Sequence, residues 1–185
     1  MIDDLMQDAV RRMDRSVDAA RQEFNTVRTG RASAALLDRI EIDYYGQRTP
    51  LKQLATINVP EPRMLTVQPF DPSSIKSIER SIQESDLGLT PSNDGKLIRL
   101  PIPALTEERR KELVRVVRQM AEDSRTAVRN VRRDVIHHLK ELANEGGVGS
   151  DEEHRAEDRV QKLTDEHTKT IDELLKHKEA EIMEV

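Results

Sequence analysis

The sequence predicts an α+β protein: an elongated three-helix bundle into which a small β/α/β domain is inserted. Three observations predict it. Residues 106–144 run without Gly or Pro and carry apolar or small residues at every third or fourth position. Residues 2–28 and 151–184 repeat that spacing. Between them, residues 31–104 hold all eight prolines and several runs rich in β-branched residues. The expected domains are therefore 1–30 with 105–185, a helical bundle, and 31–104, an inserted α+β unit.

Taken in order, residues 2–28 read as an amphipathic helix whose inner face includes Leu5, Met6, Ala9, Met13, Val17, Ala20, Phe24 and Val27. Gly30 is expected to stop it. Residues 39–45 alternate, with Ile40, Ile42 and Tyr44 on one side, and predict a strand turned by Gly46-Gln47. Residues 56–59 and 65–67 predict two more strands. Asp71-Pro72 suits a helix start, with Asp as cap and Pro at the first position. Ile75, Ile78 and Ile82 mark that helix's buried face, and Gly88 is expected to end it. A turn at Ser92–Gly95 leads to a strand at 97–100.

The 106–144 stretch predicts a helix of roughly 60 Å at 1.5 Å per residue. Its apolar stripe reads Leu113, Val116, Val117, Met120, Ser124, Ala127, Val128, Val131, Val135, Leu139 and Leu142. Glu107 and Glu108 suit the positive end of the helix dipole, and Gly146-Gly147 suits its end. The last helix carries an inner stripe of Val160, Leu163, His167, Ile171, Leu174, Leu175, Lys178 and Ile182. The first and third helices then run antiparallel to the central one. Two short linkers join the inserted unit, Thr29, Gly30, Arg31 and Ala32 on one side and Pro101, Ile102, Pro103 and Ala104 on the other. They form an expected hinge.

Charge is distributed unevenly. The chain has a net charge of −5, yet residues 109–140 hold ten Lys/Arg against four Asp/Glu. Residues 151–185 hold six against twelve, and residues 31–104 nine against nine. Along the central helix, Lys111, Arg115, Arg118, Arg125, Arg129 and Arg132 repeat with helical spacing, broken only by Glu122. Their mean direction is expected to lie roughly opposite the apolar stripe. A solvated helix face usually alternates signs to form i,i+4 pairs. A one-signed, arginine-rich row favours forked contacts with phosphate. With no Trp, two Phe and two Tyr, the chain has few aromatics to stack bases on, so shape and phosphate are the expected determinants.

Other chemistry is poorly supported. The absence of cysteine excludes disulfides, thiolate metal sites and a cysteine nucleophile. Adjacent His137 and His138 diverge by about 100° on a helix and cannot chelate together. No catalytic constellation can be argued from spacing, no cofactor or metal is expected, and the Gly146–Ser150 connection lacks the features of a phosphate loop. No apolar run is long enough to span a membrane, and the acidic, amphipathic N-terminus does not resemble a signal peptide. A cytoplasmic binding protein, not an enzyme, is the expectation.

Longer motifs carry a resemblance. RTGRAS at 28–33, EIDYYG at 41–46, SDLGL at 85–89, IRLPIPALTEERRKEL at 98–113, AVRNVRRD at 127–134 and VQKLTDEHTKTID at 160–172 together resemble the bacterial ribosome recycling factors. The resemblance covers the whole chain; only the glycine-rich GGVGS loop departs from it. It implies two domains in an L shape of roughly transfer-RNA size. It also implies binding to the large ribosomal subunit and its RNA after peptide release, then splitting of the ribosome with GTP-bound elongation factor G. Initiation factor 3 would afterwards hold the subunits apart. The factor itself would hydrolyse nothing and would act as a monomer. Carried over by motif, the RNA contacts are Arg28 and Arg31 in RTGRAS and Arg129, Arg132 and Arg133 in AVRNVRRD. Arg118 and Arg125 join them from the stripe, with Arg110 on its margin.

Overall fold

The structure, a computed structural model, describes residues 1–184. It divides into two compact units, Met1–Arg28 with the chain from Glu107 onward, and Thr29–Thr106. Each boundary lies two residues outside the expected 31–104 insertion.

In the first unit, α1 (Ile2–Asn25) buries Met6, Ala9, Met13, Val17, Ala20 and Phe24. It ends three residues before the expected Arg28. There the Thr26 hydroxyl donates to the Glu23 carbonyl at 2.6 Å, a local bond that competes with helix continuation. Gly30 lies beyond the end, at φ +78°.

The second long helix, labelled α4 from its place in the chain (Glu107–Asn144), buries Leu113, Val117, Ala121, Ser124, Val128, Val131, Val135 and Leu139. Two details differ from the expected stripe. Val116 is 43% exposed, and Ala121, absent from that stripe, is fully buried. Both follow from phase: Ala121 sits four residues after Val117 and three before Ser124, whereas Val116 turns about 100° away from Val117.

Helix α4 closes with Gly146 at φ +75°, its N–H donating to the Ala143 carbonyl, and the Gly147 N–H donating to Leu142. This is the Schellman arrangement, in which a left-handed residue satisfies carbonyls that the helix leaves open. The chain then reverses into α5 (Ser150–Met183).

Pairings fix the directions. Arg118 meets Glu179 and Arg125 meets Asp172, so α4 and α5 are antiparallel. Asp3 meets Arg159 and Asp14 meets His167, so α1 and α5 are parallel. On α5 the inner face shifts slightly from expectation. Leu163, His167, Leu174 and Leu175 are half-buried, while Thr164 is buried, its hydroxyl donating to Val160. Lys178 is buried as expected and keeps its ammonium 3.2 Å from Glu181.

In the second unit, β1 (Glu41–Tyr44) pairs antiparallel with β2 (Gln47–Pro50). The turn residues Tyr45 and Gly46 both take positive φ, 51° and 81°. That geometry matches the twist of a two-residue hairpin. A short helix α2 (Leu51–Leu54) follows, then β3 (Ala55–Glu61), β4 (Met64–Pro69), α3 (Ile75–Glu84), β5 (Ser92–Asn93) and β6 (Ile98–Pro101). The larger sheet is antiparallel in the order β3-β4-β6-β5. Its core gathers Ile42, Leu51, Leu65, Val67, Ile78, Ile82, Ile98 and Leu100.

Two aspartates organise the loops. Asp71 accepts from the Ser73 hydroxyl, the Ser73 N–H and the Tyr44 hydroxyl, which together hold its carboxyl below the usual range. Asp94 accepts from the backbone of Lys96 and Leu97 and from Arg99, with the same effect. Helix α3 ends at Glu84, ahead of the expected Gly88.

Three of the eight expected linker residues are bound into the inserted unit. Pro101 is part of β6, paired with Met64. Ile102 donates its N–H to the Arg63 carbonyl, and Ala32 donates to Pro62, at 2.8 and 2.7 Å. Pro101, Ile102 and Ala32 are thus anchored to the sheet unit. That leaves Thr29–Arg31 on one side and Pro103–Ala104 on the other as the stretches outside this anchoring. No described helix is long and apolar enough to cross a membrane.

Candidate nucleic-acid interface

Three helices leave only part of α4 open. Helix α1 covers one flank, where Arg12 donates to Asp134 at 2.7 Å. Helix α5 covers the other. There Arg118 pairs with Glu179 at 2.6 Å, Arg125 pairs with Asp172, and Arg132 donates to the Gln161 amide oxygen at 3.2 Å. At 100° per residue, the basic stripe lies about 100° round from the buried face, on the α5 side, not opposite it.

That placement sets three of the expected contacts apart from the open face. Arg118 and Arg125 are rungs of an ion-pair row between helices. Arg125 keeps only 22% of its side chain exposed and also donates to Glu122. Arg110 shares the phase of Val117, seven residues on, so it lies toward the apolar face and not on the stripe's margin. Its Nε is buried without a hydrogen-bond partner.

The open arc carries Lys111, Arg115, Arg129, Arg133 and Lys140, all within about 40° of one another. Arg115 and Arg133 are exposed, and Arg133 is held by the Asn130 amide oxygen at 3.0 Å. Arg129 donates to Glu122 at 2.6 Å. Glu122 sits within the row and accepts from Arg129 and Arg125, which hold its carboxyl below the ordinary value. Exposed pairs of this kind are weak and screened by salt, so a multivalent polyanion competes with them readily. Arg132 belongs to the α5 seam, about 40° from Arg118 on the side of the buried face, and is half-buried, but its partner there is the neutral Gln161 amide.

Arg28 is exposed at the last position of the bundle unit, and Arg31 is exposed within the inserted unit. Neither is on α4. Phe24, the bundle's one Phe, Tyr or Trp, is 3% exposed, so this unit presents none of those three rings for stacking. A groove of about 830 Å³ between α1 and α5 is walled by Asp3, Asp14, Asp18 and Glu166 and by Arg11, Arg15, Arg159 and Lys162, and has no net sign. His137 faces Glu141, and the His138 Nδ1 lies near the Asp134 carbonyl. Among the described residues no three metal-ligating side chains gather.

The sequence carries a trace of the α5 partners of these arginines. Asp158, Asp165, Asp172 and Glu179 recur every seven residues, as do Arg118, Arg125 and Arg132. Two such rows on antiparallel helices are the sequence signature of an ion-pair seam.

Comparison with known proteins supplies the remaining evidence. Residues 20–183 match the family model described as ribosome recycling factor. A ribosome-recycling factor of Rubrobacter xylanophilus is 59% identical over 180 residues, 97% of each chain. One from Carboxydothermus hydrogenoformans is 49% identical over the full length of both. A solution structure of the ribosome recycling factor matches with a TM-score of 0.74 at 42% identity, covering 100% of this chain and 98% of that one. A T. thermophilus ribosome recycling factor, placed with E. coli elongation factor G on an E. coli post-termination complex, matches with a TM-score of 0.63 at 45% identity over both full chains.

Proposed function

The chain belongs to the ribosome recycling factor family, and on that premise we propose that it binds the large ribosomal subunit of post-termination complexes through the open face of α4. Lys111, Arg115, Arg129, Arg133 and the seam residue Arg132 grip ribosomal RNA phosphates. With GTP-bound elongation factor G the protein then splits the ribosome, and initiation factor 3 keeps the subunits apart. GTP hydrolysis belongs to the elongation factor. This protein acts as a cytoplasmic monomer, and its own contribution is binding and transmission of force, not catalysis.

The observation that carries this reading is the basic arc on α4, interrupted only by Glu122 and left uncovered by both neighbouring helices. The T. thermophilus relative on its post-termination complex supports the choice of partners. The buried Phe24 supports a grip on phosphate and shape in place of base stacking.

The test is co-sedimentation of the protein with purified large subunits. Reversing Arg129 and Arg133 to Glu should abolish binding while the far-ultraviolet spectrum stays helical. Parental binding should fall steeply with salt, because each phosphate contact releases counterions. Light scattering should report splitting only with elongation factor G and GTP present. Unchanged binding by the double variant, or equal affinity for bulk unstructured RNA, would overturn the assignment.

A further inference from the structure

We propose that Gln161 is a positioning residue that keeps the charge of Arg132 uncancelled by a carboxylate, so that this arginine alone of its interhelical row remains available to the RNA interface. The inference rests on the RNA-binding reading of α4 and adds the device that selects which arginines remain available.

The row has a strict register. Moving seven residues up α4 moves seven residues down α5, from Arg118–Glu179 to Arg125–Asp172. The next rung is Arg132–Asp165. It does not form as an ion pair among the described residues. The Gln161 side chain stands between the two. Its amide oxygen accepts from the Arg132 Nη1 at 3.2 Å, and its amide nitrogen donates to the Asp165 Oδ1 at 2.9 Å.

The Gln161 amide satisfies both sides at once, because it carries an acceptor and a donor without net charge. A carboxylate at position 161 would neutralise Arg132 and repel Asp165. An apolar group would leave both unsatisfied and let Arg132 close on Asp165, as the two other rungs close. With glutamine, Asp165 is occupied, Arg132 is oriented, and its positive charge is not cancelled. The same bond fixes the guanidinium, so less rotamer freedom is lost when a phosphate arrives. Arg118 and Arg125 hold the helices together through carboxylates, whereas Arg132 is held in a neutral clasp.

A double-mutant cycle in salt titrations tests the assignment, using purified large ribosomal subunits as the probe. Gln161 and Asp165 are both exposed, so substitutions there spare the core. Gln161→Leu changes no charge, yet should lower the slope of log K against log salt by about 0.9, one phosphate contact, matching Arg132→Ala. Adding Asp165→Asn to Gln161→Leu should restore the parental slope, and Asp165→Asn alone should do much less. Gln161→Glu should weaken binding at least as far as Gln161→Leu.

Parental binding by Gln161→Leu, or strictly additive effects of the two substitutions, would overturn the proposal. If Arg129→Glu with Arg133→Glu abolishes binding while Gln161→Leu keeps the parental salt slope, the clasp fails and the interface stands. If all these variants bind as the parent does, both fail.

Discussion

Glu122 is the residue on which α4's two tasks meet. It sits within the basic arc, yet it accepts from Arg129 and Arg125 and so ties one outward arginine and one seam arginine to the helix. Its carboxyl is held below the ordinary value near 4.5 by those two donors, Arg129 first. A group lowered on folding contributes stability that is complete above its unfolded value and is lost as pH falls through the lowered one. Glu122→Gln should therefore flatten the loss of melting temperature on acidification from about pH 6 to about pH 3. It should also tighten large-subunit binding by a factor of about two to five, since Arg129 no longer has to leave a carboxylate. Parallel pH profiles for parent and variant would show that the carboxylate contributes nothing.

At the level of the element, α4 owes its position to one face and its partner specificity to another. Val131 is 5% exposed and lies on the same face as Val128 and Val135. Val131→Asp places an unpaired charge among apolar side chains, which costs several kcal/mol. Thermal unfolding should move down by many degrees or lose its cooperativity. An unchanged transition would mean that the buried face is turned elsewhere. The helix also shows how far periodicity carries. Its length, its apolar phase at Leu113, Val117, Val128 and Val135, and its end before Gly146 follow from residue spacing and from glycine's freedom at positive φ. The burial of Ala121 in place of Val116 follows from the same phase, although hydrophobicity alone ranks the two the other way.

For the whole molecule, the connections between the two units carry the next expectation. Ala32 and Ile102 are bonded to the β3–β4 turn, which confines the linkers to the few residues nearest the bundle. Gly30 takes φ +78°, a conformation open to glycine at little cost. If a motor acts on one unit to displace the other, those linkers must transmit force. Inserting Gly-Gly after Arg28 and again after Leu105 should leave large-subunit binding near parental and sharply reduce elongation-factor-dependent splitting in light scattering. A splitting rate equal to the parent's would show that linker length is not part of the mechanism.

The sequence by itself determined the three long helices, the inserted mixed unit and the family, because each rests on local spacing or on contiguous motifs. It also placed an excess of positive charge on α4. Tertiary structure decided what that charge does. Arg118 and Arg125 differ from Arg115 and Arg133 only through a helix some 50 residues further along the chain, whose register no local pattern on α4 contains. The strand β2 and the helix α2 were likewise invisible, since Gln47–Leu54 shows no alternation and owes its form to pairing with β1 and to burial of Leu51. Local order is written in neighbouring residues; which charge stays open to a partner is settled only where distant helices come into register.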